Sequence, residues 1–182
     1  MKLSLLFGCI VCLANFAFAG NLYLVTNYDI PAIGKIFAGA KVSELKKEGN
    51  ETLVKYTGYI PAGSTVAYAR FGLMEKELAL MDGIKYQKVQ EQEDDYGTRW
   101  AQISLEMKIP NAMLIDDEKK INVKGKELFE ARCGTCHPLH KYDEFTINVW
   151  PGIVDTMKKN SGLNDDEYSL LVRFLQTQAP KE

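Results

Sequence analysis

Residues Gly125–His137 read GKELFEARCGTCH, and the last five place two thiols and an imidazole at the spacing C-x-x-C-H. Two thiols with two residues between them can each add to a vinyl group of one porphyrin, and the adjacent histidine then lies over the iron. The motif predicts one covalently attached haem c held by Cys133, Cys136 and His137, and hence single-electron chemistry. Thioredoxin-like redox activity would want the cysteine pair at a helix start after a strand. A structural zinc would want a second ligand pair, which the sequence outside the leader lacks.

A porphyrin needs an apolar envelope, and the residues around the motif have helical periodicity. Before it, Val123, Leu128 and Phe129 can form an apolar stripe, together with Gly125 and Arg132. After it, Asn148 is placed to cap a second helix, with Pro151 in the first turn where a missing N–H does no harm. A third helix starts at Asn164 with Glu167 three residues on, a capping-box pattern, and carries Tyr168, Leu171, Val172 and Leu175. These features predict a small all-α cytochrome c-type domain over 117–182.

The other face of the iron has few candidates. Apart from His137 the sequence has only His140, three residues later and therefore on the same side of the ring, where it serves better as a surface group or a partner for a haem propionate. Of the six methionines, Met157 has the best neighbourhood: Trp150, Ile153 or Val154, and Met157 share one helical face that could cover a porphyrin. Met157 is the leading distal ligand and Trp150 a wall of the haem site. Met107, Met113, His140 and an open site stay as alternatives, and the bland reading of Met157 is plain core packing. A thioether ligand would favour ferrous iron and raise the potential.

Upstream, Lys2 is followed by an apolar run from Leu3 to Leu13 and then by Ala17-Phe18-Ala19, which predicts a secretory leader over 1–19 cleaved before Gly20. The run is short for a retained anchor, and Phe7 is bulky for a lipoprotein site at Cys9. Cleavage removes Cys9 and Cys12, so Cys133 and Cys136 remain as the only cysteines of a periplasmic protein with no disulfide framework.

Between 20 and 116 the pattern is that of strands. Short runs such as Leu22–Val25, Thr52–Tyr56, Thr65–Tyr68 and Trp100–Leu105 alternate with turn formers at Glu48-Gly49-Asn50, Pro61-Ala62-Gly63-Ser64, Met81-Asp82-Gly83 and Asp94–Gly97. A weak repeat links Lys41–Glu44 and Leu53–Pro61 to Lys88–Glu91 and Trp100–Pro110, with a spacing that drifts from 47 to 49 residues. The expected fold class is therefore α+β: a small β barrel or sandwich of SH3-like hairpins, followed by the all-α haem domain. With 46% hydrophobic and 25% charged residues and a net charge of −2, the chain has an ordinary globular composition and no bulk affinity for nucleic acid. No segment after the leader could span a membrane as a helix.

Three features, GKELFEARCGTCH, a tryptophan and a methionine seven residues apart in WPGIVDTM, and a capped closing helix ending LVRFLQTQAP, together resemble the C-terminal monohaem domain of the pentahaem TorC-type cytochromes of trimethylamine N-oxide respiration. The β region is similar to the segment preceding that domain. The resemblance implies an electron-transfer protein, not an enzyme, that donates to a periplasmic molybdopterin reductase of the trimethylamine N-oxide or dimethyl sulfoxide type. It does not extend to the family's quinol-oxidising tetrahaem portion and membrane helix, so an upstream cytochrome or quinol dehydrogenase is the expected donor. A different class of function would be a haem-containing binding or regulatory module whose β region recognises a sensor or assembly partner. Peroxidase action would want a distal histidine and arginine pair, which the motif's surroundings lack.

Overall fold

The structure, a computed structural model, describes residues 20–181, so the predicted leader and the Cys9 site lie outside the described residues. Ten strands form one curled antiparallel sheet. They are β1 (Asn21–Leu24), β2 (Tyr28–Ile30), β3 (Gly34–Ile36), β4 (Lys41–Glu48), β5 (Glu51–Pro61), β6 (Val66–Tyr68), β7 (Lys76–Leu80), β8 (Gln87–Glu93), β9 (Arg99–Pro110) and β10 (Leu114–Ile115). Neighbours run β10-β1-β4-β5-β6-β7-β3-β2, while β9 pairs with β5 and carries β8. Alternation sets the inner face: Val54, Tyr56 and Ile60 of β5 point the same way as Ile103, Met107 and Ile109 of β9, and all are buried in one core with Leu24, Ile36 and Leu78.

The weak sequence repeat has a structural counterpart. Hairpins β4/β5 and β8/β9 meet through β5 and β9, and Tyr56 lies directly opposite Leu105, its own equivalent 49 positions on, so the hairpins are related by an approximate two-fold axis at that pair. Each outer strand bulges once. Leu45 is left unpaired between Glu44 and Lys46, and Val89 between Lys88 and Gln90. Those bulges are 44 positions apart, so the outer strands match with a different offset from the 47 suggested by sequence; the second turn is longer and absorbs the difference.

Three α-helices follow: α1 (Glu118–Leu128), α2 (Trp150–Ser161) and α3 (Asp165–Gln178). They overturn the expected fold class. The chain is mostly β, and its three helices do not make a small all-α cytochrome c domain after a β barrel or sandwich. Instead they lie on the sheet. Ile121 of α1 and Leu170 of α3 share a core with Tyr23 and Ala38 of the β region. Asp166 accepts from the Asn27 N–H at 3.0 Å and from the Thr26 hydroxyl, and Gln176 donates to the Met74 carbonyl at 3.1 Å. The physical reason is area: helices of 11, 12 and 14 residues have apolar faces that three short cylinders cannot cover among themselves, so the sheet supplies the remaining partner.

Local signals fared differently. The Asn164–Glu167 capping box is present in both directions, at 2.9 and 3.0 Å. Asn148 caps nothing: its side chain accepts from the Met74 N–H at 2.7 Å and donates to the Gly72 carbonyl, while α2 starts two residues later. On α1 the inward face runs through Ile121, Gly125 and Phe129, and Val123 is exposed. Gly125 decides this, because a Cβ there would stand 2.3 Å from the Phe174 Cβ of α3. The bare backbone lets the two helices close together.

Candidate functional site

The helix that leads into the motif changes its winding just before it. After α1 the chain makes a π-helical turn over Phe129–Cys133, a departure common where a side chain must be re-aimed. It buries Phe129 against Trp150, with ring centroids 6.3 Å apart, and leaves Cys133 half-buried, where desolvation pushes its thiol up from the usual cysteine range. Cys136 is exposed in the following turn. The cysteines therefore follow a helix C-terminus, whose partial negative charge disfavours a thiolate. That placement is the reverse of what dithiol redox chemistry uses.

His137 is oriented by its neighbour. Its Nδ1 lies 2.8 Å from the Pro138 carbonyl, and since a carbonyl can only accept, the contact is a hydrogen bond in the tautomer that carries its proton on Nδ1 and keeps the Nε2 lone pair for a ligand bond. This tautomer is the one that coordinates a metal through Nε2, with the carbonyl contact fixing the ring. His140 is half-buried, paired through Nδ1 with Glu144 at 2.9 Å, and its ring lies 5.4 Å from that of His137.

Across from these residues stands α2. Trp150, Val154, Met157 and Ser161, with Ile153 beside them, line one narrow apolar cleft together with Phe129, Cys133, His137 and His140. The i, i+4, i+7 spacing of Trp150, Val154 and Met157 puts them on one face. Trp150 is fixed by donation from Nε1 to the Tyr142 carbonyl at 3.1 Å and by the Phe145 ring, edge-on at 5.0 Å. The structure thus brings Cys133, His137, Trp150 and Met157 to one cleft, and leaves Cys136 beside it on the surface. Met107 and Met113 pack with the sheet core, and Met74 and Met81 are exposed.

Sequence reasoning missed the aromatic frame formed by Phe129, Tyr142 and Phe145 around Trp150. Its only sequence signal is aromatic density between His140 and Trp150, which carries no period. His140, expected as a surface group or a partner for a haem propionate, lies in the wall of the cleft. The donor set suits haem c: two thiols, an imidazole with Nε2 free, a thioether and apolar walls. Among the described residues no group of three or more His, Cys, Asp or Glu is arranged to hold a metal ion directly.

Most of the chain resembles cytochrome c-type proteins of the TorC and TorY kind. It is similar to the cytochrome c-type protein TorY of Escherichia coli O157:H7, 27% identical over 166 residues, which covers 87% of this chain and 44% of the relative. A TorY of Haemophilus influenzae is 27% identical over 145 residues, covering 77% of this chain and 39% of the relative. A TorC of Escherichia coli K12 is 24% identical over 156 residues, covering 83% and 40%. The chain spans about two fifths of the length of these relatives. No family model matches the chain, and no solved structure matches it.

Proposed function

We propose that this chain is a periplasmic c-type cytochrome module with one haem, which passes single electrons to a molybdopterin reductase of the N-oxide or S-oxide type. The observation that carries the reading is the meeting of Cys133, His137 and Met157 in one apolar cleft beside Trp150. Similarity to cytochrome c-type proteins over most of the chain supports it.

When bound, the haem supplies a one-electron iron couple. The protein's part is to hold, orient and shield it. Cys133 and Cys136 would provide the thioether links, and His137, whose ring is held by the Pro138 carbonyl, would offer Nε2 to the iron. Met157 on α2 would offer its thioether sulfur from the same cleft, a soft ligand that would raise the potential relative to a second histidine. Trp150, Phe129 and Val154 keep water away, and all three are buried. No described helix is long and apolar enough to cross a membrane.

The test is kinetic. Reduced holoprotein is mixed with periplasmic molybdopterin reductases that turn over trimethylamine N-oxide or dimethyl sulfoxide, and haem oxidation is followed optically. Re-oxidation by at least one such enzyme faster than that of an unrelated monohaem cytochrome is expected. Equal rates for both would defeat the proposal.

A further inference from the structure

The face of α2 that carries Pro151 and Lys158, beside the Met157 face, borders a second cavity, about 550 Å³ in volume, between the helices and the sheet. One wall comes from the sheet and carries Lys35, Phe37, Tyr68 and Lys76; the other comes from α2 and α3 and carries Lys158 and Tyr168. Its size is that of a small-molecule site, about 300–1,000 Å³.

The charge in this cavity is unlike that of the chain. Lys35, Lys76, Lys158 and Arg173 line it against the single carboxylate of Asp165, although the whole sequence is net negative at −2. Most of these cations have their own acid: Lys158 sits 2.6 Å from Asp165, Lys35 is 3.4 Å from Asp29, and Arg173 is turned to Glu75 and Glu77. Lys76 has no carboxylate partner among the described residues. Its ammonium stands instead 4.3 Å above the centre of the Phe37 ring, and Lys158 stands 4.9 Å above that of Tyr168. Lys76 is exposed to solvent at its residue as a whole, yet desolvation beside the cavity wall, and then the like charge of Lys35, hold it below the usual lysine range. Lys35 and Lys76 line one cavity beside aromatic walls and repel each other, and an anion between them removes the repulsion while its apolar body covers the rings.

We propose that this cavity is a binding site for a small aromatic carboxylate, with the carboxylate between Lys35 and Lys76 and the ring against Phe37, Tyr68 and Tyr168. The site lies between two layers and has the volume of a compact ligand, which favours a small molecule over an extended acidic peptide. The site is separate from the cleft of His137 and Met157, so it stands or falls independently of the proposed electron-transfer role.

Isothermal titration of the holoprotein with benzoate and 2-naphthoate, beside the neutral benzamide, tests it. Saturable binding of a carboxylate is expected, weakened about tenfold by Lys76→Gln and by Lys35→Gln, with no such binding of benzamide. The Soret spectrum and the far-ultraviolet circular dichroism of both variants should match the parent, which excludes misfolding as the cause. The proposal is overturned by equal binding of the amide, by affinity unchanged in Lys76→Gln, by no saturation with either carboxylate up to about 10 mM, or by a glutamate-rich peptide binding more tightly than either.

Discussion

Arg173 of α3 brings Nη2 to 3.3 Å from Oε1 of Glu77, a carboxylate that is only 2% exposed on β7. Glu77 is there because β7 bulges: Ala67 pairs with Leu78 and Tyr68 with Lys76, so Glu77 has no partner in β6 and turns toward the helices. Glu75, also 2% exposed, is gripped by Arg70 and lies 3.8 Å from Arg173. The junction between helices and sheet is therefore partly ionic.

This junction predicts an unusual pH dependence of stability. Desolvation raises the Glu77 carboxyl from 4.5 to about 7, against the opposing pull of Arg173 and the Lys41 N–H. The folded form thus binds a proton more readily than the unfolded form between those values, so the Glu77 contribution is complete below about 4.5 and is lost as pH rises through about 7. The loss is on the order of 3 kcal/mol at most. Urea unfolding at a series of pH values should give stability that falls across this window, and Glu77→Gln should flatten the slope. A flat or rising profile in the parent protein would refute the assignment.

A second prediction concerns the iron's distal ligand. The ferric holoprotein should show the weak long-wavelength thioether band, and Met157→Ala should lose it and lower the midpoint potential. His140→Ala should keep the band, because His140 is tied to Glu144 and serves as a wall. The opposite pattern, with the band absent from the parent and coordination changed by His140→Ala, would assign the ligand to His140.

A third prediction follows from the unequal exposure of the two thiols. In protein made without haem attachment, Cys136 lies in the open and Cys133 is half-buried with its thiol pushed up. A small alkylating reagent near neutral pH should modify Cys136 first, and peptide mapping after brief exposure would reveal the order. Preferential modification of Cys133 would show that the π-helical turn does not shield it.

How much of this was legible in the sequence depended on where the deciding partner lies. The Asn164–Glu167 box could be read because donor and acceptor are three residues apart. Asn148 could not, since its partner Met74 is distant in sequence and outcompetes the local cap. The CGTCH motif and the Trp150–Met157 face are local patterns, and the structure joins them at one cleft. The aromatic frame and the carboxylates of Glu75 and Glu77 were invisible because their burial depends on packing between helices and sheet. The same packing defeats the expected autonomous all-α domain: periodicity marks an apolar face without naming what covers it.

Gly125 offers the sharpest test of how that packing supports the site. Replacing it with alanine puts a methyl 2.3 Å from the Phe174 Cβ and 2.9 Å from the Leu170 carbonyl oxygen, both parts of α3 that cannot swing away. Helix propensity alone would make Gly125→Ala stabilising by about 1 kcal/mol, whereas overpacking costs about 1–3 kcal/mol, so the net sign expected is destabilising. Because α1 runs directly into the turn that carries Phe129 and Cys133, the displacement should also reduce the yield of haem-loaded protein. Lys126→Ala, on the exposed side of the same helix, is the control that should leave both unchanged within about 0.5 kcal/mol. Thermal unfolding and the ratio of Soret to protein absorbance measure the two effects, and a Gly125→Ala protein as stable and as fully loaded as the parent would show that α1 and α3 are not held in this close contact.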